Sequence, residues 1–239
     1  MGGLGHFLED EGVPTVQISL VREHTDAMKP PRALWVPFML GRPLGVPEDG
    51  DFQKRVLRSA LALLERPSGP VLDDYPEEAP EVVVEDEGWV CPIAFNREED
   101  VSLAERLRRE VQQYRTWYDL HVEKWGRTSV GVSGLDLETL SAFLAEYAEG
   151  GDAPSPNPDV GAARLLRLSV DDLKTFFFEA AGAQPGAASP KQLNEWFWTS
   201  TSAGEAIIKL WRQVKDSNDK DFKRLSVLIV PREWLPKEG

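Results

Sequence analysis

The spacing of apolar residues changes period several times within the first 66 positions. In GGLGHFLEDEG, Leu4, Phe7 and Leu8 share one helical face, and Gly12 stands where a helix C-cap would sit. VPTVQISLV is a β-branched run entered through a proline, which suits a strand. REHTDAMKPP reads as a short helix stopped by Pro30 and Pro31. RALWVPFML is continuously apolar, the pattern of a strand buried on both faces of a parallel sheet. From Asp51, a plausible N-cap, the residues Phe52, Val56, Leu57, Ala60, Leu61 and Leu64 recur with helical period. Helix–strand–helix–strand–helix in so short a span predicts an α/β fold with a partial doubly wound parallel sheet.

Residues 67–100 are rich in loop formers and acids, with one expected strand at EVVVED and a second at WVCPIAF. SLAERLRREVQQYRTWYDLHVEKWG predicts a long helix with Leu103, Leu107, Val111, Tyr114, Tyr118 and Val122 as its stripe and Gly126 at its end. Another amphipathic helix is expected from Asp136. GGDAPSPNPDVG is the strongest boundary signal in the chain. It suggests an α/β domain over residues 1–150, containing an acidic loop at 67–88, and a mainly helical module over 159–239. In that module Ser169 with Asp172 resembles a Ser-x-x-acid capping box, and Ser189–Pro190 opens a helix that runs through WFWTSTSAGEAIIKLWRQV. RLSVLIVPREW reads either as a strand or as a last helical turn.

With 41% hydrophobic and 28% charged residues, eight Trp and ten Phe, the 239-residue chain has the make-up of a globular protein with ample core material. The 27 Lys+Arg against 40 Asp+Glu give a formal charge of −13, which argues against binding a nucleic-acid backbone. Much of that excess sits in LDDYPEEAPEVVVEDEG, a run that reads first as a solvated connector. No stretch approaches a membrane span and no leader pattern opens the sequence, so a cytoplasmic location is the expectation. A single cysteine, Cys91, rules out an internal disulfide framework or a CxxC pair. His6, His24 and His121 lack ligand spacing, so no metal is expected, and no cofactor motif is present.

Candidate chemistry concentrates where ligands usually meet a parallel sheet, beyond the carboxyl ends of its strands. Two loops qualify: LVREHTD, with Arg22, His24 and Thr25, and LGRPLGVPEDG, with Gly41, Arg42 and Gly45. The two glycines permit close backbone approach and their amides could face an anion, although such a loop is as readily a plain turn. The loop is neither GxGxxG nor a Walker loop. His6 is either a site residue or an exposed or capping histidine. Cys91 lies in an apolar context that suits a buried small side chain better than a reactive thiol. Trp196, Phe197 and Trp198 are consecutive, so at least one is expected to face another domain or chain; Phe176–Phe178 raises the same point.

Gly12-Val13-Pro14-Thr15-Val16, followed by Phe38, Leu40-Gly41, Pro43, Gly45 and Pro47, resembles the carboxyl-terminal part of the glycine/sarcosine/betaine/D-proline reductase selenoprotein B family. The likeness covers about a quarter of the chain, residues 1–66, with Met39 standing where that family has proline. It implies an α/β domain and a small-molecule site lined by Gly41, Arg42, Gly45, His24, Thr25 and His6. The family's selenocysteine or cysteine lies just upstream of the first helix, whereas this sequence reads MGGLGHFLEDEG there. The resemblance therefore implies a subunit of a heteromeric reductase whose redox thiol or selenol sits on a companion chain. The alternatives are a non-catalytic binding or scaffold subunit that kept the fold and lost the chemistry, and an enzyme of another class with His24 as acid/base.

Overall fold

A computed structural model describes residues 2–47, 49–80, 101–186 and 188–236. The chain divides into two compact units, residues 1–83 and 84–239. The strands expected at EVVVED and WVCPIAF, and Cys91 with them, lie outside the described residues.

The first unit is mixed α/β. It runs α1 (Gly2–Asp10), β1 (Gln17–Ser19), α2 (Arg22–Met28), β2 (Arg32–Trp35), α3 (Gly50–Ala62), a 3-10 turn and β3 (Val71–Asp74). The sheet has the order β1-β2-β3 with both pairings parallel; Gln17 lies opposite Ala33, and Ala33 opposite Leu72. Strand β3 falls inside the span expected to be an acidic loop. Its two acids, Asp73 and Asp74, hide a strand that pairs with β2. Leu34, Val36 and Phe38 alternate onto one side and pack with Phe52, Val56, Ala60 and Leu63 from the α3 region. Phe38, Phe52 and Tyr75 form a ring trio with centroids 5.5–6.1 Å apart, tilted or edge-on. The α3 N-cap is Asp49, whose carboxylate accepts the Phe52 amide at 3.0 Å; Asp51, the expected cap, is exposed in the first turn.

Helix α1 ends as its glycine indicates. Gly12 has φ +81°, its amide donates to Glu9, and the Val13 amide donates to Leu8. The helix is fastened at the amino ends of the strands. Arg32, nearly buried, donates through Nη1 to Glu9 Oε1 (2.6 Å) and through Nε and Nη2 to the Arg66 carbonyl. The same Glu9 oxygen accepts the Thr15 amide and hydroxyl. The Thr15 amide, with Arg32 beside it, holds the Glu9 carboxyl below its ordinary range.

The second unit is helical: α4 (Leu103–Trp125), α5 (Leu137–Ala148), α6 (Ala162–Gly182), α7 (Pro190–Ser200), α8 (Ser202–Val214) and α9 (Lys220–Ile229). Ser102, Asp136 and Ser189 cap their helices as their sequences indicate, the last with a full capping box and Pro190 at N1. The Pro/Gly segment at residues 150–159 lies inside the second compact unit. Side chains of α4 and α5, such as Tyr114, Leu140 and Leu144, share one core with Leu173, Phe177 and Phe197 from beyond the Pro/Gly segment. That segment is a connection within one unit.

Long-range contacts account for the other departures. Helix α6 starts at Ala162, so Ser169 is an interior residue and the expected box does not form. Asp172, fully buried, accepts the amides of Gly131, Val132 and Ser133 and the Ser133 hydroxyl at 2.5–2.9 Å. It thus anchors the loop before α5. The expected helix from Ser189 breaks at Thr201, whose hydroxyl accepts the Gly204 amide (2.9 Å), while a Cβ on Gly204 would stand 2.3 Å from the Phe197 carbonyl oxygen. RLSVLI lies in helix α9, with Val230 as its extended C-cap. Trp196, Phe197 and Trp198 are all buried within this unit, as are Phe176 and Phe177, so this aromatic surplus needs no outside partner.

At the break, Glu110 of α4 accepts the Ser202 amide (2.8 Å) and hydroxyl (2.7 Å), serving the start of α8. Burial pushes its carboxyl up to about 7 against the lowering effect of those bonds. A carboxyl raised above its unfolded value near 4.5 binds more protons in the folded state, so stability is lost as pH rises from about 4.5 through about 7. Thermal melts should therefore show a falling component across that window that Glu110→Gln removes; an unchanged profile in the variant would contradict the assignment.

Candidate functional site at the carboxyl edge of the sheet

The three strands are parallel and in sequence order, so their carboxyl ends lie side by side, with no reversal of order among the described strands. Beyond β1, the Ser19 and Thr25 hydroxyls are hydrogen-bonded to each other, and Thr25 Oγ1 also meets the Val21 carbonyl at 2.9 Å. Thr25 is buried and spends its hydroxyl holding α2 against the strand end. His24, one residue earlier, is exposed, with no hydrogen bond or ion pair among the described residues to orient its ring.

Arg22, the first residue of α2, reaches Asp74 at the end of β3, with Nε 2.9 and 3.1 Å from the two carboxylate oxygens. Both side chains are about half exposed, so the pair contributes direction more than stability. Next to it, Tyr75 Oη donates to Glu77 (3.4 Å), which also accepts from Arg55 Nη2 (3.1 Å). Burial foremost, with the Glu77 charge, raises the Tyr75 phenol above its usual range.

The segment after β2 is a series of turns. The Arg42 amide donates to Met39 and the Gly45 amide to Arg42, both at 3.0 Å, while Gln53 Nε2 ties the Val46 carbonyl to α3. The amide of Gly45 is therefore not available to an anion. Its φ of +82° and the position a Cβ would take, 2.6 Å from Phe52 Cε1, account for the glycine. Gly41 differs: φ is +88°, nothing stands within 4 Å of its Cβ position, and the residue is exposed. Arg42 is half-buried, and its guanidinium has no hydrogen bond or ion pair among the described residues.

Of the six residues expected to line a site, the structure brings His24, Thr25, Gly41, Arg42 and Gly45 to one edge. His6 is the exception. It follows Gly5, whose Cβ position lies 3.3 Å from Pro31 and Thr15, at the amino ends of the strands. Ser19, Asp74 and Tyr75 join the edge without having been singled out. A reading of VLDDY as a third strand was the signal that could have placed the last two. The edge offers a guanidinium, an imidazole and an open glycine, a set suited to holding a small anion, and no thiol among the described residues.

Compared with protein-family models, curated proteins and solved structures, the chain gives no match. The likeness of residues 1–66 to the reductase family rests on its motifs alone.

The two glycines should respond differently to substitution. Gly41→Ala meets only the left-handed penalty, about 1 kcal/mol, while Gly45→Ala adds a clash with Phe52 and should cost about 2–4 kcal/mol. Urea unfolding of both variants checks this, and equal losses would contradict the packing described.

Proposed function

We propose that the chain is a subunit of a heteromeric assembly in which its first unit completes a doubly wound α/β layer with a companion chain. In this reading the carboxyl edge forms one wall of a small-molecule site. Arg42 and His24 provide the polar contacts, the loop from Gly41 to Gly45 provides the shape, and the redox thiol or selenol comes from the companion.

The observation that carries the partner dependence is the exposed apolar surface of the first unit. Leu4, Phe7 and Leu8 all point outward from α1, Phe7 with 72% of its surface exposed. Met39 and Leu40 on the edge loop, and Leu57 and Leu61 on α3, are exposed as well. Patches of this kind mark surfaces that a partner covers. β1 pairs on one side only among the described strands, which leaves backbone groups for an incoming strand. The redox part rests on the resemblance of the Gly12–Pro47 motif. A purely binding or scaffold subunit is the second reading, favoured by the Thr25 hydroxyl and Gly45 amide being consumed within the fold.

The tagged chain, purified from its native host, should bring one companion protein with it, and iodoacetamide labelling should mark a reactive thiol or selenol on that companion. Phe7→Glu should abolish the capture while leaving the melting temperature unchanged. A companion without a reactive group would favour the scaffold reading. A monodisperse monomer with no companion, or capture unaffected by Phe7→Glu, would overturn the proposal.

A further inference from the structure

A groove of about 380 Å³ lies between α4 and the start of α5, wholly within the helical unit. Its size falls in the range of sites that hold small molecules. Val111 and Leu137, both nearly buried, make an apolar floor. On the α4 wall Arg108, Gln112 and Arg115 follow one another at i, i+4 and i+7, which sets the two arginines about 10 Å apart along the axis.

Each guanidinium is oriented by a carboxylate of its own helix. Arg108 donates through Nε and Nη2 to Glu105, both at 2.8 Å. Arg115 donates through Nε to Asp119 at 3.1 Å, and its guanidinium carbon stands 5.8 Å from the centre of the Tyr118 ring. That leaves the Nη1/Nη2 edge of Arg115 without a hydrogen bond among the described residues. It is a planar pair of donors with the spacing of two carboxylate oxygens.

The α5 wall carries two acids of unequal availability. Both oxygens of Asp136 are engaged by Thr139, through its amide and hydroxyl at 2.8 Å each. The Glu138 carboxylate has no hydrogen bond among the described residues, and its charge acts on Arg108. The Ser141 hydroxyl is spent on the Leu137 carbonyl (2.5 Å). Glu105 and Glu138 thus both act on Arg108, whereas Arg115 has Asp119 alone and keeps both Nη groups without a hydrogen bond among the described residues.

The geometry points to this groove as a binding site for a small carboxylate with an apolar body. The carboxylate sits on the Nη edge of Arg115 and the body lies over Val111 and Leu137. A second negative charge on the ligand is disfavoured by Asp136 and Glu138 across the groove.

The test is a titration of the ¹⁵N-labelled full chain with hexanoate, with inorganic phosphate and hexylamine as controls, following the amides of Val111, Gln112, Leu137 and Ser141. Hexanoate should give saturable shifts there. Arg115→Gln, at a half-exposed position whose folding is checked by its melting curve, should weaken binding by about tenfold or more. Absence of saturable shifts with hexanoate, the same affinity in Arg115→Gln, or phosphate or hexylamine binding as tightly as hexanoate would overturn the assignment.

Discussion

A parallel sheet is stable when both its faces are covered, and three strands of three or four residues gather little with which to cover them. That constraint shapes the first unit. Its core amounts to a strip of Leu34, Val36 and Phe38 closed by α3 and the ring of Tyr75. The unit compensates with polar ties at both ends of the strands. Arg32 gathers Glu9 and the Arg66 carbonyl at the amino end, and Arg22 joins Asp74 at the carboxyl end. The second of these is half exposed and the first only partly shielded, so neither replaces buried apolar area. What remains uncovered is the apolar face of α1 and the side chains around the edge loop. These are the surfaces on which the partner-completed reading depends.

The helical unit solves the same problem differently. Its helices are amphipathic, and their aromatic residues converge in one core where Tyr114, Phe177 and Trp196 lie within 5.4–6.2 Å of one another. Buried carboxylates then fix the irregular segments: Asp172 the loop before α5, and Glu110 the break between α7 and α8. Asp172 takes three backbone amides and Glu110 the Ser202 amide with both its oxygens, which orders the loop in one case and the helix start in the other. Arg106 and Glu205 add a doubly hydrogen-bonded pair between α4 and α8, at 2.8 and 2.9 Å.

Much of this was legible because it is local. Gly12 and Gly126 ending their helices, the helix starts at 102 and at Asp136, and the opening at Ser189–Pro190 each depend on a few neighbouring residues. The succession of strand and helix likewise placed Thr25 and Gly41 at the same edge. The features that escaped are those set at a distance. β3 is a strand because β2 lies beside it, despite its acids. The helix after Ser189 breaks where Glu110, 92 positions earlier, takes the Ser202 amide. Asp172 has the spacing of a capping residue, but its partners lie about 40 positions back. Consecutive aromatics suggested an outside partner because a single helix cannot turn all three inward. Here α4, α6 and α8 surround α7 closely enough to bury them all.

Native-state hydrogen exchange on the isolated full chain tests most directly whether the first unit is incomplete. The amides of Val36 and Tyr75, bonded across the sheet to Ser19 and Trp35, report on the strands. Those of Leu173 and Phe176, in the middle of α6, report on the helical core. An uncompleted sheet predicts that the strand amides exchange at least ~100-fold faster than those of α6, and that a companion chain slows them. Equal protection of the two sets in the chain alone would contradict the account.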